Sequence, residues 1–189
     1  MATPLSGRKV EPSASKLDLQ SSSSLIHWLT LAAFVWALLF GLTSLFWGGV
    51  AIWGSDAMIS GRFGAGIIGK AIEQQALERQ PSFIALLWIT GVLKLCLCLV
   101  ALALVRPWGR RLRRLWRLAA WVAGVGMILY GIGNGVEHLL MWSGAMATPE
   151  GLGEQAVGWH LALWDPWWLL GGVLFTYLSW MSVRNPVRS

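Results

Sequence analysis

The sequence predicts an all-α integral membrane protein, a polytopic bundle of four transmembrane helices, and three observations carry that prediction. The 189 residues are 56% hydrophobic and only 13% charged, where soluble domains run to roughly a quarter charged because they cover themselves with hydrated groups. The apolar residues gather into four runs, each near the ~20 residues that a helix needs to cross the hydrocarbon core. None of the runs alternates with a period of two, which argues against a membrane β-barrel.

Residues 1–24 form a polar tail with Pro4, Pro12 and the run Ser21 to Ser24. They have too little apolar surface to fold and are expected to be a disordered cytoplasmic tail. Residues 25–183 are expected to form the transmembrane domain. The first span, Leu25 to Trp53, lies in a stretch without Asp, Glu, Lys or Arg from Leu19 to Ser55. It is too long for the apolar part of a cleaved signal peptide and follows too long a polar tail. The second span, Phe83 to Val105, is interrupted by Lys94 alone. The third, Leu118 to Trp142, carries Glu137 near its end, and the fourth, Trp159 to Met181, carries Asp165 near its start. Residues 184–189 close the chain as a short cytoplasmic tail.

Orientation follows from the basic residues. Arg8, Lys9 and Lys16 precede the first span; Arg106, Arg110, Arg111, Arg113, Arg114 and Arg117 lie between the second and third; Arg184 and Arg188 follow the fourth. The first loop balances Arg62, Lys70 and Arg79 against Asp56, Glu73 and Glu78, and the third carries only Glu150 and Glu154. Both termini and the arginine-rich loop are therefore expected inside. The net charge of +6 is spent on topology, so nucleic acid is not expected as a partner; a grip of Arg106 to Arg117 on anionic headgroups would be generic. Eight of the 14 Trp, Trp47, Trp53, Trp88, Trp142, Trp159, Trp164, Trp167 and Trp168, fall toward the outer ends of spans. Trp108, Trp116 and Trp180 fall near the inner side, as an interfacial belt requires.

Small residues let membrane helices approach closely. Gly131 and Gly135 form a G-x-x-x-G in the third span, which is expected at the centre of the bundle; Gly171 and Gly172 in the fourth and Gly48 and Gly49 in the first are expected in the same role. A faint internal echo, Trp53-Gly-Ser-Asp-Ala-Met58 against Trp142-Ser-Gly-Ala-Met146, suggests two parallel helix pairs. Cys96 and Cys98 match neither a zinc pattern nor a C-x-x-C pair and read as small apolar residues.

Gly64-Ala-Gly-Ile-Ile-Gly69-Lys70 satisfies G-x-G-x-x-G, but both phosphate-binding patterns need a preceding strand in an α/β sheet. Here the run lies in an outer loop, and Ala71 stands where a phosphate loop needs Ser or Thr. Nucleotide is not expected; Ile67 to Gln80 reads instead as a short interfacial helix ending before Pro81.

Ionisable groups inside spans are costly and usually face the bundle interior, so they are the strongest leads. Lys94 lies near mid-membrane, roughly 15 Å from either boundary at about 1.5 Å per residue. It must pair with a carboxylate, lose its proton or face a wet cavity. Asp165 is the nearest partner in prospect, although Asp165-Pro166 also reads as a helix cap with Pro at the first position, which outweighs a catalytic role. Asn134, Glu137, His138 and Met141 share one face of the third helix, and His160 opens the fourth span at similar height. Glu137, His138 and His160 could gather at the outer mouth, where two His and a carboxylate could hold a metal or two His could ligate haem. Hydrogen-bonded residues tying helix ends together are the favoured reading, so no metal and no cofactor is expected. His27 has only that structural reading.

The segments Trp159-His-Leu-Ala-Leu-Trp-Asp-Pro-Trp-Trp-Leu-Leu-Gly-Gly-Val-Leu-Phe175 and Ser44-Leu-Phe-Trp-Gly-Gly-Val-Ala-Ile-Trp-Gly54 resemble a family of small four-helix bacterial membrane proteins known only as a domain of unknown function. The resemblance covers most of the chain after the tail. It implies a bacterial cytoplasmic (inner) membrane protein with no established activity, so no catalytic residue is carried over.

The chain lacks G-x-S-x-G, H-E-x-x-H and C-x-x-C, which leaves catalysis without a motif. A non-enzymatic accessory or structural subunit, or a small transporter-like bundle, is the expected function. The alternative is a membrane redox protein holding haem, quinone or metal near the outer face. The lipid bilayer is the expected partner, with a second membrane protein or a second copy of the chain in prospect.

Overall fold

The computed structural model describes residues 13–60, 67 and 69–184. Every regular element among them is helical: α1 (Ser13–Trp53), α2 (Asp56–Ser60), α3 (Lys70–Leu77), α4 (Pro81–Val105), α5 (Arg113–Trp142), α6 (Glu154–Trp159) and α7 (Asp165–Arg184). A 3₁₀ segment, Pro107–Leu112, leads into α5, and a π-helical turn, His160–Trp164, joins α6 to α7. The fold is all-α. Three of its helices are long and apolar enough to cross a membrane: Ser24–Trp53 within α1, α4, and α5 taken with its 3₁₀ lead, Pro107–Trp142. The fourth helix, α7, is less apolar because Trp167, Trp168, Thr176, Ser179, Trp180 and Ser182 interrupt its Leu and Val.

The first helix starts at Ser13, well ahead of Leu25. The rest of the stretch expected to be a disordered tail, residues 1–12, lies outside the described residues, as do residues 61–66 and 68, which include most of the glycine-rich G-x-G-x-x-G motif, and the end of the C-terminal tail. Among the described residues, the connection between α1 and α4 holds two short helices, α2 and α3. Pro81 opens α4 at its first position, where a missing N–H is harmless. Arg79, just before it, has a positive φ of 50°, and its guanidinium donates to the carbonyls of Ala51 (3.2 Å), Ile52 (2.6 Å) and Gly54 (3.0 Å). These are orphan carbonyls at the end of α1, so Arg79 closes that helix terminus. Glu78 accepts from Gln74 and Gln80, and these bonds hold its carboxyl below its usual range.

The long helices pair as two antiparallel hairpins, and glycines set the closest approach in each. In α1/α4, a Cβ on Gly41 would lie 3.2 Å from the Gly91 carbonyl, and one on Gly91 would lie 3.4 Å from that of Gly41. In α5/α7, a Cβ on Gly124 would lie 2.9 Å from the Gly172 carbonyl, and one on Gly172 would lie 2.8 Å from that of Gly124. Gly131 meets Leu169, while Gly135 has only ordinary contact with Asp165. The tightest point of the second hairpin is therefore Gly124–Gly172, about two turns before the G-x-x-x-G.

The hairpins meet through aromatic side chains of α1 and α7. Trp36 donates its indole N–H to the Trp167 carbonyl at 2.9 Å and lies against Gly171, where a Cβ would clash with its ring. Phe40 packs edge-on against Trp168 with centroids 4.7 Å apart. Trp167 and Trp168 thus join this seam as well as any interfacial belt. The centre of the bundle is α7, not α5 as the glycine pattern suggested: α7 packs against α1, α4 and α5, and its Phe175 and Leu178 are fully buried. Large apolar side chains such as Leu86, Leu93, Leu129 and Val136 cover the outside of the long helices, as lipid contact requires. Cys98 is buried and reaches the Phe34 carbonyl at 3.6 Å, whereas Cys96 is exposed.

Candidate metal centre

Asp165 follows a run that would be a plain α-helix but for Pro166. Proline lacks the N–H and collides with the carbonyl four residues back. The chain meets this by widening one turn: the Asp165 N–H reaches the His160 carbonyl, five residues back, across the π turn. In an α-helix residues five apart diverge; a turn closed over five brings them toward one side. His160 and Asp165 are placed on a common side in this way, facing α5. Asp165 itself has helical dihedrals, φ −67° and ψ −46°, so it is not the non-helical cap expected from Asp-Pro.

Its carboxylate is engaged across the helix pair. His138 Nδ1 lies 2.8 Å from Asp165 Oδ2, and both side chains are almost fully buried, at 8% and 6% exposure. Nδ1 is the ring atom in this contact, which leaves Nε2 as the nitrogen a ligand could meet. His160 Nδ1 lies 3.9 Å from Asp165 Oδ1, with its side chain about a quarter exposed. The two imidazoles lie 4.4 Å apart with 30° between their planes. One ligand-type atom from each of His138, His160 and Asp165 lies within 4.8 Å of the others, a cluster that could hold a metal ion. The expectation of no cofactor and no metal is overturned by this cluster.

The geometry distinguishes among ligands. The 3.9 Å between His160 Nδ1 and Asp165 Oδ1 exceeds by about half an ångström the ~3.4 Å between tetrahedral ligands bound at about 2.0–2.1 Å, so a small turn of the His160 ring would let one ion bridge them. Haem held between two His needs them on opposite faces of a macrocycle, and imidazoles stacked at 4.4 Å leave no room for one. Gly131 and Gly135 face the start of α7, where a Cβ on Gly131 would lie 3.3 Å from the Asp165 carbonyl. Close approach of the backbones at this end lets His138 reach Asp165.

The other residues singled out in the sequence fall elsewhere. Glu137 is exposed, and the carboxylate joining the two His is Asp165. Asn134 donates to the Tyr130 carbonyl of its own helix at 2.8 Å. Lys94 donates to Ser44 at 2.8 Å rather than pairing with Asp165. Sequence reasoning gathered the two His but took Glu137 as their carboxylate and gave Asp165 to Lys94 or a helix cap, and it did not foresee the π turn. Pro166 inside an otherwise unbroken apolar run was the available signal, since an internal proline forces a kink, a bulge or a helix end.

Residues 37–175 match a family described as a protein of unknown function, DUF3995. The match spans most of the chain, and the chain belongs to that family. The His138–His160–Asp165 cluster lies inside it, as does the aromatic seam except for Trp36. No curated protein and no solved structure matches the chain.

Proposed function

We propose, for this member of a family without an assigned activity, that the chain is a multi-pass membrane protein that binds a divalent first-row transition metal at His138, His160 and Asp165. The convergence of these three side chains within 4.8 Å carries the reading. Two imidazoles and one carboxylate are borderline donors suited to zinc and its neighbours. Three protein ligands leave a coordination position for water or a substrate group, as in open rather than structural zinc sites. Met141 lies one turn beyond His138, and it also lines a cleft of about 300 Å³ with Trp142, Thr148 and Glu154. This cleft gives an aqueous ion a polar approach to that end of the bundle.

In this reading α7 is the fourth crossing. The arginines at the α4/α5 connection lie inside, and the metal centre faces the outer surface of a bacterial cytoplasmic membrane with both termini inside. The basic residues support this orientation, and Arg117 supports the inner end by donating to the Ser182 carbonyl at 2.8 Å. The role is metal binding within the membrane, as an accessory or redox subunit, and no reaction is assigned.

The test is zinc binding by purified protein in detergent, read by competition with a chromophoric chelator. Wild type is expected to retain one ion per chain. His160→Ala should weaken binding by roughly 100-fold or more, beyond the 10–100-fold that outer-shell partners carry. His160 is partly exposed, so this variant should fold. Equal retention by wild type and His160→Ala, or no stoichiometric retention by either, contradicts the reading.

A further inference from the structure

A second site lies away from the metal centre. A cavity of about 320 Å³ extends from the α2 and α3 end down to Lys94. Its wall is apolar, built from Val50 and Ala51 of α1, Ile59 of α2, Ala76 of α3 and Phe83 of α4, and among the described residues Lys94 is the one charged residue lining it. Leu86 also borders the cavity and is 57% exposed on the lipid-facing side of α4.

Lys94 is held but not neutralised. Its Nζ donates to Ser44 Oγ at 2.8 Å and sits 3.7 Å from the centroid of the Phe40 ring and 5.3 Å from that of Trp168. A hydroxyl and two ring faces stabilise a cation without cancelling its charge. An ammonium carries three donors, and Ser44 takes one. Among the described residues no carboxylate lies within ion-pair distance of Lys94, and Asp165 is engaged by His138. A half-buried cation lacking a counter-ion is still costly, so its counter-charge is best supplied from outside the chain.

We propose that this cavity binds a fatty acid, with the carboxylate on Lys94 and the alkyl chain along the apolar wall. One cation calls for one negative charge, and a phosphate monoester would bring nearly two at neutral pH. The volume stands at the lower end of the range for small-molecule sites and excludes a lipid with two chains. A neutral amphiphile would leave Lys94 unpaired.

The site is tested with dodecanoate labelled with ¹³C at the carboxyl, added to the full chain in phosphatidylcholine nanodiscs. Wild type is expected to show a saturable protein-bound carboxyl resonance, displaced by unlabelled dodecanoate and not by dodecanol. Lys94→Met should weaken binding roughly tenfold or more, the scale of a charge-assisted hydrogen bond. Lys94→Arg should retain it. Ala76→Phe, which keeps the charge and fills the wall, should weaken it as well. A thermal melt reports folding of each variant without reference to the metal site, so failure here and failure of the metal site are read separately. No saturable resonance in wild type, undiminished binding by folded Lys94→Met, or equal displacement by dodecanol overturns the proposal.

Discussion

His138 and Asp165 sit in a nearly dry contact between two helices, and small changes there separate structure from binding. Asp165→Asn keeps an acceptor for the His138 N–H but removes the negative charge that a metal ion would meet. Interhelical hydrogen bonds within membranes contribute about 0.6 kcal/mol on average, so this variant should unfold within a few degrees of wild type in a thermal melt and lose zinc retention. Arg79 offers the opposite case, a purely structural charge. Its three bonds to the end of α1 are charge-assisted but partly exposed, with the side chain 43% accessible. Arg79→Met should cost about 1–2 kcal/mol, a fall of roughly 2–8 °C for a chain of this size, with zinc retention unchanged. A melt equal to wild type would show that water replaces those bonds. Such roles are hard to read from the sequence. Arg79 counted there as one loop charge among several, and Asp165 took the cap reading because Asp-Pro is a good helix start wherever the chain is free to begin one.

At the scale of helices, glycines divide into those that meet a neighbour and those that do not. A Cβ on Gly126 or Gly133 meets nothing within 4 Å, whereas one on Gly172 meets the Gly124 carbonyl at 2.8 Å and the Ile128 nitrogen at 2.9 Å. Gly126→Ala should therefore be neutral or raise stability by up to about 1 kcal/mol through helix propensity. Gly172→Ala should lower it by about 1–3 kcal/mol, since backbone must move. Equal effects in a thermal melt would contradict the crossing at Gly124–Gly172. The sequence located the long helices because length and apolarity are local properties. It could not say how each helix is rotated. In α4 nearly every face is apolar, because lipid and neighbouring helices present the same chemistry, so no stripe marks the packed side. For that reason the contact at Gly91 and the company kept by Lys94 emerge only in the assembled bundle.

The whole molecule is two helical hairpins joined along α1 and α7 by aromatic rings, with short helices covering the end where α1 meets α4. The echo between Trp53–Met58 and Trp142–Met146 matches this division into two hairpins, since each segment follows the first long helix of its pair. If α5 crosses the membrane, Glu150 and the arginine loop lie on opposite sides of it. In a background with Cys96 and Cys98 replaced by Ser, Glu150→Cys should react with an impermeant maleimide added to intact cells, and Arg110→Cys should react only after lysis. The reverse pattern would invert the topology, and labelling of both from outside would remove the odd crossing between them. The most direct measurement of the central claim is zinc K-edge X-ray absorption on the loaded protein. The account expects nitrogen and oxygen ligands at about 2.0–2.1 Å, with outer scattering from two imidazoles that falls to one in His160→Ala. An ion surrounded by water oxygens alone, or a spectrum unchanged by that substitution, would contradict it.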